Sequence, residues 1–398
     1  MLLIAPRHRL AGGHKLSLPL DVRLHATVTD IARDEWERLL PGEPENWDYY
    51  RVVEMAPPPN FRLGAISVRM GGQIVAVAPV FRVVYRIDTP LQGALRVAGQ
   101  WVFERMPRLV SLPVVGIGSP SSDTCSIGFA PHLDDAARTA VFDALLDRLA
   151  LIADEEKCAL VAIKSIDDSA QRLESAFRTH RFMRVTSVPL AILDLPFATL
   201  DAYLASLPAK TRGYLKRKRR TAADVRTEYV TSLAGLEDEV FALFQNTLQQ
   251  SKVDYGDFEL LTPAYFTRVL EAMGEKAQCQ LWWQGRELVG FQISLVGTKR
   301  IVTKHIGMKY PQARELNLYF LAWLSMIEFA IARGIPSIDM GATTYATKLL
   351  FGAHLSQRWL YFRFRGDVAN FMLQPLAPFF DFERHDPELK ALRAKAAG

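Results

Sequence analysis

The sequence contains little cysteine. Three cysteines occur in 398 residues, at Cys125, Cys158 and Cys279. Because they are far apart in the chain, they indicate neither a disulfide framework nor a zinc site. The eight histidines are also scattered, and none are paired at the spacing of metal ligands. We therefore predict a protein of a reducing compartment that has no catalytic metal ion.

Several sequence motifs of familiar catalytic sites are absent. The chain has no GxxxxGK[ST], GxGxxG, HExxH, GxSxG or CxxC sequence. This removes the usual signals for a phosphate loop, a dinucleotide fold, a zinc protease, a serine hydrolase and a dithiol site. The stretch GIGSPSSD at Gly116–Asp123 is similar to a phosphate loop only in composition, and it lacks the following lysine. We expect it to be a plain surface loop.

Long apolar runs are missing as well. No window approaches the length that a bilayer-spanning helix needs. The opening MLLIAPRHRLAGGHK has too short an apolar part for a signal peptide. The formal net charge of +5 and the pI of about 9.0 allow an anionic partner without requiring one. These features favour a cytoplasmic protein, and contact with the inner face of the membrane stays open.

The length and the order of elements predict two domains of one kind, since 398 residues exceed a single typical core. Two β-hairpin patterns occur, at Ile66–Val84 and Gln280–Leu295. Each is followed by a helix and then a strand. These are Ala137–Asp154 with Ala159–Lys164 in the first half, and Asn317–Arg333 with Ile335–Met340 in the second. The repeated order indicates two copies of one mixed α/β unit, the first with an extra Gly-, Pro- and Ser-rich segment at Pro90–His132.

The densest run of positive charge lies between the two halves. Pro208 is expected to open a helix, because proline suits the start of a helix and not its interior. Its basic residues are Lys210, Arg212, Lys216, Arg217, Lys218, Arg219 and Arg220. Two interpretations stay open: a solvated connecting helix, or a surface for the phosphates of a donor, a lipid headgroup layer or RNA.

The tail Trp359–Phe382 is rich in aromatic residues. Its first part alternates like an edge strand, with Arg363 and Arg365 on one face. The later part, Met372–Phe382, is short, apolar and interrupted by proline. We expect it to pack on the core, and a membrane-facing or acyl-binding surface is the alternative.

The stretch Ile301–Gly352 concentrates the most reactive side chains. It predicts a strand, a polar loop, a long amphipathic helix, a second strand and a polar turn. Gly334 and Pro336 mark the end of the helix. Polar residues at the carboxyl ends of strands are typical of ligand sites in α/β sheets, and a helix N-terminus there can bind an anion.

Five residues of this stretch are candidate catalytic groups: His305, Glu315, Asp339, Tyr345 and Lys348. His305 or Glu315 can accept a proton from an attacking amine, although a packed histidine or a helix-stabilising glutamate would look the same in sequence. Asp339 ends a buried strand and can equally cap the next turn. Tyr345 and Lys348 are three positions apart and share a face of a helical turn, where a phenol can protonate a leaving thiolate and an ammonium can hold a phosphate. Simple solvation at the surface is the alternative for this pair.

The sequence IDMGATTYATKLLFG, after a long helix that ends in glycine, resembles the C-terminal signature of a GNAT-like acyltransferase family. LPAKTRGYLKRKRR resembles the second signature of that family, and GGQIVAVAPVFRVV resembles its N-terminal hairpin. The family is related to the Fem-type (FemAB-like) aminoacyltransferases and is often found near cellulose-biosynthesis proteins, and bacterial ceramide synthases are similar to it. The resemblance runs from about Val22 to Gly366.

The resemblance implies a mixed α/β fold of two tandem GNAT-like domains, each a mixed sheet flanked by helices, with the active cleft mainly in the second. On this basis we divide the chain into five parts. They are an N-terminal extension (1–21), a first GNAT-like domain (22–198), a basic connecting helix (199–229), a second, catalytic GNAT-like domain (230–368) and a tail (369–398).

The resemblance also implies an N-acyltransferase that uses an acyl thioester, with acyl-CoA as a co-substrate and no permanently bound cofactor. The acceptor would be an amine, with a long-chain, sphingoid-base-like lipid among the options. The loop Met308–Asn317 takes the place of the pyrophosphate-binding loop of GNAT enzymes but has no glycine, so side chains would have to compensate. The expected donor-binding residues are Lys309, Arg314, Asn317, Arg212 and Lys216.

Two other functions remain open at this point. The first is a Fem-type transferase of cell-envelope biosynthesis that takes its acyl group from aminoacyl-tRNA, and this is the one case in which we expect a nucleic-acid partner. The second is a GNAT-like scaffold without activity, which the missing loop glycines favour and the Tyr345–Lys348 pair disfavours.

Overall fold

The computed structural model describes residues 19–86, 105, 111–250 and 260–397. Much of the predicted segment Pro90–His132 therefore lies outside the described residues. The strands, in chain order, are β1 (Leu20–His25), β2 (Arg62–Met70), β3 (Gln73–Arg86), β4 (Ser111–Ile117), β5 (Gly128–Phe129), β6 (Leu160–Ile166), β7 (Met183–Thr186), β8 (Leu190–Asp194), β9 (Val225–Val230), β10 (Ala277–Gln284), β11 (Glu287–Val296), β12 (Ile301–Met308), β13 (Ser337–Asp339), β14 (His354–Ser356) and β15 (Trp359–Phe364).

Helices flank these strands on the faces of the sheets. They are α1 (Arg33–Leu39), α2 (Trp47–Met55), α3 (Asp135–Glu155), α4 (Glu174–Thr179), α5 (Leu200–Ser206), α6 (Ala209–Thr221), α7 (Glu237–Gln250), α8 (Pro263–Met273), α9 (Gln312–Glu315), α10 (Leu318–Ala332), α11 (Tyr345–Leu350), α12 (Asp367–Leu373), α13 (Phe382–His385) and α14 (Pro387–Ala397). Short 3₁₀ turns occur at Val28–Asp30, Asp168–Leu173, Gly274–Lys276 and Gln374–Phe380.

The described strands form two mixed sheets. The first has the order β1-β2-β3-β4-β6-β15-β7, with β5 paired to β3, and the second has the order β14-β8-β13-β12-β11-β10-β9. Each sheet contains one parallel pair, β4 with β6 and β12 with β13, among antiparallel neighbours. The predicted mixed α/β class with two sheet-and-helix units is confirmed.

The same sequence of elements builds both units, as the repeated pattern predicted. The hairpin β2–β3 precedes α3 and β6, and the hairpin β10–β11 precedes α10 and β13. Since parallel strands need a crossover connection, α3 and α10 lie in the links between the paired strands. Asp134 starts α3 by accepting a 2.7 Å hydrogen bond from the Ala137 amide. Gly334, with φ of +65°, follows the end of α10.

The two halves of the chain exchange strands. β8, from the first half, pairs with β13 and β14 in the second sheet. β15, from near the end of the chain, pairs with β6 and β7 in the first sheet. The prediction that Trp359 and the residues after it form an edge strand is therefore wrong, because β15 is hydrogen bonded on both sides. The five-part division of the chain stays a prediction.

Apolar packing places α10 inside the second unit. Leu318, Ala322, Met326 and Ile327 are at most 2% exposed, as expected of a helix that is apolar on most of its surface. No helix among the described residues is long and apolar enough to cross a membrane. Because these side chains are buried, α10 is a core helix, and it connects β12 to β13.

Two sequence expectations on the surface had different outcomes. Pro208 does open a helix, since it is the N-cap of α6, and Leu215 is the buried residue of that helix. The expectation that Met372–Phe382 packs on the core is only partly right. The Phe380 ring lies 5.8 Å from that of Phe362, whereas Met372 is 68% exposed.

Candidate functional site

The centre of the candidate site is the point where two parallel strands separate. β12 and β13 pair at only two positions, Ile301 with Ile338 and Val302 with Asp339. β13 then ends, while β12 continues to Met308. The carboxyl end of β13 therefore opens onto a side of β12 that has no strand next to it, and Asp339 lies at this opening.

A β-bulge modifies β12 beside the opening. Ile293 of β11 pairs with His305 and the next residue, Ser294, pairs with Thr303, so Lys304 has no counterpart on β11. Bulges bend a strand and redirect its side chains, and they are common next to active sites. Here the bulge occurs at the one lysine inside the apolar run of β12.

The side chain of Lys304 is fixed by groups from the first half of the chain. Its Nζ atom lies 2.5 Å from Glu45 Oε1 and donates a 2.6 Å hydrogen bond to the Ser121 carbonyl. The Lys304 and Glu45 side chains are 3% and 7% exposed. Burial acts to lower the pKa of Lys304, but Glu45, Tyr265 and Asp123 together outweigh it, so the pKa is raised and the amine stays charged. Arg300 forms a second ion pair with Glu43, at 2.5 Å, and both of these side chains are partly exposed.

The predicted loop Gly116–Asp123 begins as strand, because Gly116 and Ile117 end β4, and the rest is a loop but not a surface loop. Ser119, Ser121 and Ser122 are each at most 7% exposed. The Lys164 ammonium donates to the carbonyls of Ser119 and Ser122, at 2.9 and 2.8 Å. Burial lowers the pKa of Lys164 to about 8. The carbonyl oxygens of this buried loop accept hydrogen bonds from the ammonium groups of Lys164 and Lys304.

A tyrosine pair closes this region from the side of α2 and α8. Tyr49 donates a 2.6 Å hydrogen bond to the Ser121 carbonyl, and its oxygen lies 2.9 Å from that of Tyr265. Because the Tyr49 proton is directed to Ser121, Tyr265 is the donor in the second contact. Burial raises the pKa of both phenols well above the usual value. The pair is therefore uncharged, and its hydrogen bond joins α2 of the first half to α8 of the second.

Asp339 is a buried carboxylate with a pKa close to neutral. It is 4% exposed, and its Oδ1 accepts a 2.9 Å hydrogen bond from the Gly341 amide. Burial raises its pKa to about 6, against the effect of that hydrogen bond. A methyl group on Gly341 would lie 3.8 Å from both Asp123 Oδ2 and Thr303 Oγ1. Asp123 thus brings a second carboxylate, from the first half, next to the Asp339 turn.

Tyr345 and Lys348 lie on one short helix, α11, as predicted, and both are buried. Tyr345 donates a 3.0 Å hydrogen bond to the Pro189 carbonyl, and burial raises the pKa of its phenol. Lys348 is 3% exposed and donates to the carbonyls of Gly341 and Ala342, at 3.0 and 2.6 Å. Burial lowers the pKa of Lys348 to about 8, while nearby Asp339 acts to raise it. The alternative of simple surface solvation therefore does not apply to either residue.

His305 lies in β12, where the sequence placed it. Its ring is surrounded edge-to-face by Phe244, Tyr265 and Phe266, at centroid distances of 5.7, 5.3 and 5.8 Å. Burial, and then the charge of Lys304, lower its pKa to about 3. A histidine with so low a pKa is neutral at pH 7 and is a weak proton acceptor.

The loop between β12 and α10 does not present free backbone amides along its first part. The amide of Lys309 donates to the Val289 carbonyl, and the amide of Tyr310 to Asn246 Oδ1. Further along, the amides of Ala313 and Arg314 donate to the carbonyls of Lys309 and Pro311. GNAT-type binding of a pyrophosphate needs such amides to face the ligand. In this chain the amides of Lys309, Tyr310, Ala313 and Arg314 are already hydrogen bonded to the protein.

The other predicted residues of this loop are arranged around its surface. Lys309 forms an ion pair with Glu287, and Arg314 donates a 2.9 Å hydrogen bond to Gln250 Oε1. Glu315 is exposed in α9, and Asn317, with φ of +54°, separates α9 from α10. The sequence suggested that Glu315 lies at the start of the long helix. In the structure it belongs to α9, a separate turn before that helix.

The basic helix α6 lies beside the same loop. Lys218 donates a 2.6 Å hydrogen bond to Asn317 Oδ1, which connects the helix to the start of α10. Arg212 donates to the carbonyls of Ala205 and Leu207 and so fixes the preceding turn. Lys216 is exposed. Asn317, one of the predicted donor-binding residues, is thus held against α6. Lys216, another of them, is on α6 and is exposed to solvent.

The structure brings Asp339 and Lys348 together and keeps Glu315 apart on the surface. Sequence reasoning missed Lys304, Glu45, Asp123 and Lys164, which surround the opening. One signal was available, because a lysine within the apolar strand IVTKHIGM must find a partner when buried. Its partner Glu45 could not be located, since the two are 259 positions apart. Among the described residues, no group of three or more His, Cys, Asp or Glu side chains could hold a metal ion.

Comparison with known proteins identifies the class of this fold. Residues 209–349 match the family model of the acetyltransferase (GNAT) domain. No curated protein matches the sequence. The solved structure of FemX is similar with a TM-score of 0.55 and 13% identity, covering 86% of this chain and 96% of that chain. The C-terminal domain of a protein named as a lysylphosphatidylglycerol synthetase, from Agrobacterium fabrum, gives a TM-score of 0.50 and 14% identity, covering 85% and 94%.

The matched segment contains β12, α10, β13 and α11, and so includes the opening at Asp339. This segment is therefore similar to the acetyltransferase (GNAT) domain. The fold as a whole has two GNAT-like units, one after the other, and it is similar to that of FemX over most of both chains.

Proposed function

We propose that this chain is an N-acyltransferase that moves an acyl group from an activated donor to an amine. The observation that carries the proposal is Asp339, a buried carboxylate at the open end of the separated strands, with its pKa raised to about 6. A base of this kind is mostly ionised at pH 7 and can still accept a proton. It lies within the segment that matches the GNAT domain.

The proposed reaction uses the groups around the opening in defined roles. The amine nitrogen attacks the acyl carbonyl carbon, its proton passes to the Asp339 carboxylate, and the bond to the leaving group breaks. Lys348, with its pKa lowered to about 8, is suited to return a proton to the leaving group. Tyr345 is less suited, because its phenol donates to Pro189 and has a raised pKa.

For the donor we propose an acyl thioester such as acyl-CoA, held by side chains rather than by loop amides. The exposed Lys216 of α6, and the basic residues of that helix more generally, offer charge for donor phosphates. For the acceptor we propose an amine, with an amino lipid among the options. The similar protein named as a lysylphosphatidylglycerol synthetase supports a lipid acceptor only by analogy of fold.

A second candidate is a transferase that uses aminoacyl-tRNA. One observation favours it: four amides of the loop in the place of the GNAT pyrophosphate-binding loop are hydrogen bonded to Val289, Asn246 and the loop itself. A donor that is recognised mainly through a long, basic surface would not need them. The likeness of fold to FemX is consistent with this candidate.

The test compares donors on the purified, RNase-treated chain. We expect thiol release from palmitoyl-CoA in the presence of a long-chain amino alcohol, and little release without the amine. Asp339→Asn should abolish this release, whereas Asp154→Asn, an exposed aspartate on α3, should not change it. Transfer from charged tRNA alone would replace the thioester proposal by the second candidate. Failure with every donor, in a folded protein, would favour the inactive scaffold.

A further inference from the structure

A short helix near the end of the chain exposes an apolar face. Val368, Phe371 and Met372 of α12 are 78%, 75% and 68% exposed. Their spacing of three and four residues places them on one side of the helix. No other large apolar residue in the described part of the chain is more than 52% exposed. Such a concentration is unusual for a surface in contact only with water.

The helix is held rigidly with this face outward. Asn370, which is 5% exposed, accepts a 3.0 Å hydrogen bond from the Phe364 amide and donates a 2.9 Å bond to the Arg181 carbonyl. These bonds attach α12 to the end of β15 and to the turn before β7. The exposed apolar face therefore belongs to a helix that is hydrogen bonded to the rest of the fold, and not to a frayed terminus.

Three arginines lie at the N-terminal end of α12. The side chains of Arg181 and Arg363 each lie 3.6 Å from Asp367, the acidic residue of α12. Arg365 precedes the helix and is exposed. Three arginines against one aspartate leave an excess of two positive charges at this end of the helix, although the Arg363 side chain is only 16% exposed. A second copy of the chain would bring these arginines against each other, whereas an anionic membrane complements both the charge and the apolar face.

We propose that α12 docks this protein on an anionic phospholipid surface, with Phe371 and Met372 inserted at the level of the headgroups. The argument stands independently of the proposed activity, because it needs only the geometry of α12. Three apolar side chains and two net charges are suited to weak, reversible binding, not to permanent anchoring. Binding would orient the whole first sheet, since α12 is attached to β15.

The test is co-sedimentation of the full chain with lipid vesicles. We expect binding to vesicles of phosphatidylcholine mixed with phosphatidylglycerol, weaker binding to phosphatidylcholine alone, and loss of binding at high salt. Phe371→Ser and Met372→Ser should each weaken binding about tenfold. The matched control Met55→Ser removes a 52%-exposed methionine elsewhere and should bind like the wild type.

Three results would overturn the proposal. One is the absence of binding to either kind of vesicle. Another is unchanged binding by both Phe371→Ser and Met372→Ser. The third is a concentration-dependent dimer, seen by size-exclusion chromatography, that Phe371→Ser abolishes, because a second copy would then be the occupant of this face. Circular dichroism of the variants identifies any loss that is due to unfolding.

Discussion

Lys304 and Glu45 form a buried ion pair, 2.5 Å from nitrogen to oxygen, that joins the two halves of the chain. Lys304 lies at the bulge of β12, and Glu45 lies just before α2. The same ammonium is bonded to the Ser121 carbonyl at 2.6 Å. A single side chain thus fixes the loop after β4, the start of α2 and the strand beside Asp339 relative to one another.

Removing one partner of this pair should destabilise the fold strongly. Glu45→Gln leaves the Lys304 ammonium buried without its counter-charge, and such changes cost about 3–5 kcal/mol. The double variant Glu45→Gln/Lys304→Met should lose less than the sum of the single losses, since no charge is then left unpaired. Urea denaturation of the wild type, both single variants and the double variant measures this. Additive losses would show that the two side chains do not depend on each other.

The pH dependence of acyl transfer should report Asp339. The carboxylate must be ionised to accept a proton, so the rate should fall as the pH drops through about 6. Asp339→Asn should lower kcat by about a hundredfold or more and remove this limb of the profile. A wild-type rate that stays flat from pH 5 to 8 would exclude Asp339 as the base.

The same carboxylate should affect stability in a defined direction. Its folded-state pKa of about 6 lies above its ordinary value of 3.8. The folded protein therefore holds a proton that the unfolded chain releases, and the free energy of unfolding should fall as the pH rises from about 4 to about 6. Asp339→Asn should lack this part of the slope. Equal slopes in the two proteins, measured by urea denaturation across this range, would contradict the raised pKa.

His305 should not contribute to the pH profile. Its pKa, lowered to about 3 by burial and by Lys304, keeps it neutral throughout the range in which Asp339 titrates. His305→Phe should therefore keep the limb near pH 6, whatever it does to the absolute rate through packing against Phe266. If His305→Phe removed that limb, the histidine and not Asp339 would be the proton acceptor.

Reversing one charge of α6 should weaken donor binding. Lys216→Glu should raise KM for the donor about threefold to tenfold and leave kcat nearly unchanged, because the interaction is long-range and uniform through the reaction. The difference should shrink as salt is added. Lys390→Glu makes the same change on α14 and serves as the control. Equal effects of the two variants would argue against a donor surface on α6.

Two glycines should respond to alanine in opposite ways. A methyl group on Gly307 would lie 2.2 Å from a Phe291 ring carbon and 2.7 Å from the Phe244 amide nitrogen, so Gly307→Ala should destabilise the fold by about 1–3 kcal/mol. Gly213 lies within α6, where the nearest atom is 3.8 Å away. Gly213→Ala should stabilise the fold by about 0.5–1 kcal/mol. Thermal denaturation of both variants checks the sign of each effect.

Local patterns in the sequence were sufficient to predict the repeated units. The hairpins around Gly71–Gly72 and Gly285, the crossover helices and the position of Asp339 all follow from periodicity and turn residues over short stretches. The turn that carries Tyr345 and Lys348 is equally local. These features depend on neighbours within a few positions, which one sequence displays directly.

Features that depend on distant partners could not be predicted in this way. The alternation in β15 is the same for an edge strand and for an inner one, because Arg363 can remain partly exposed while it donates to the His180 carbonyl. The polar loop after β4 looked solvated, since nothing in its composition indicates that its carbonyls serve Lys164 and Lys304. Burial of a charged or polar segment is decided by the partner, and the partner lies in another part of the chain.

The exchange of β8 and β15 has a consequence for how the chain reaches its native state during translation. The first sheet needs β15, so it cannot be completed until the residues up to Phe364 have been synthesised. β8 is synthesised early, but it can pair with β13 only after about 140 further positions have been synthesised. A fragment that ends near residue 198 would carry two strands, β7 and β8, without the strands that they pair with.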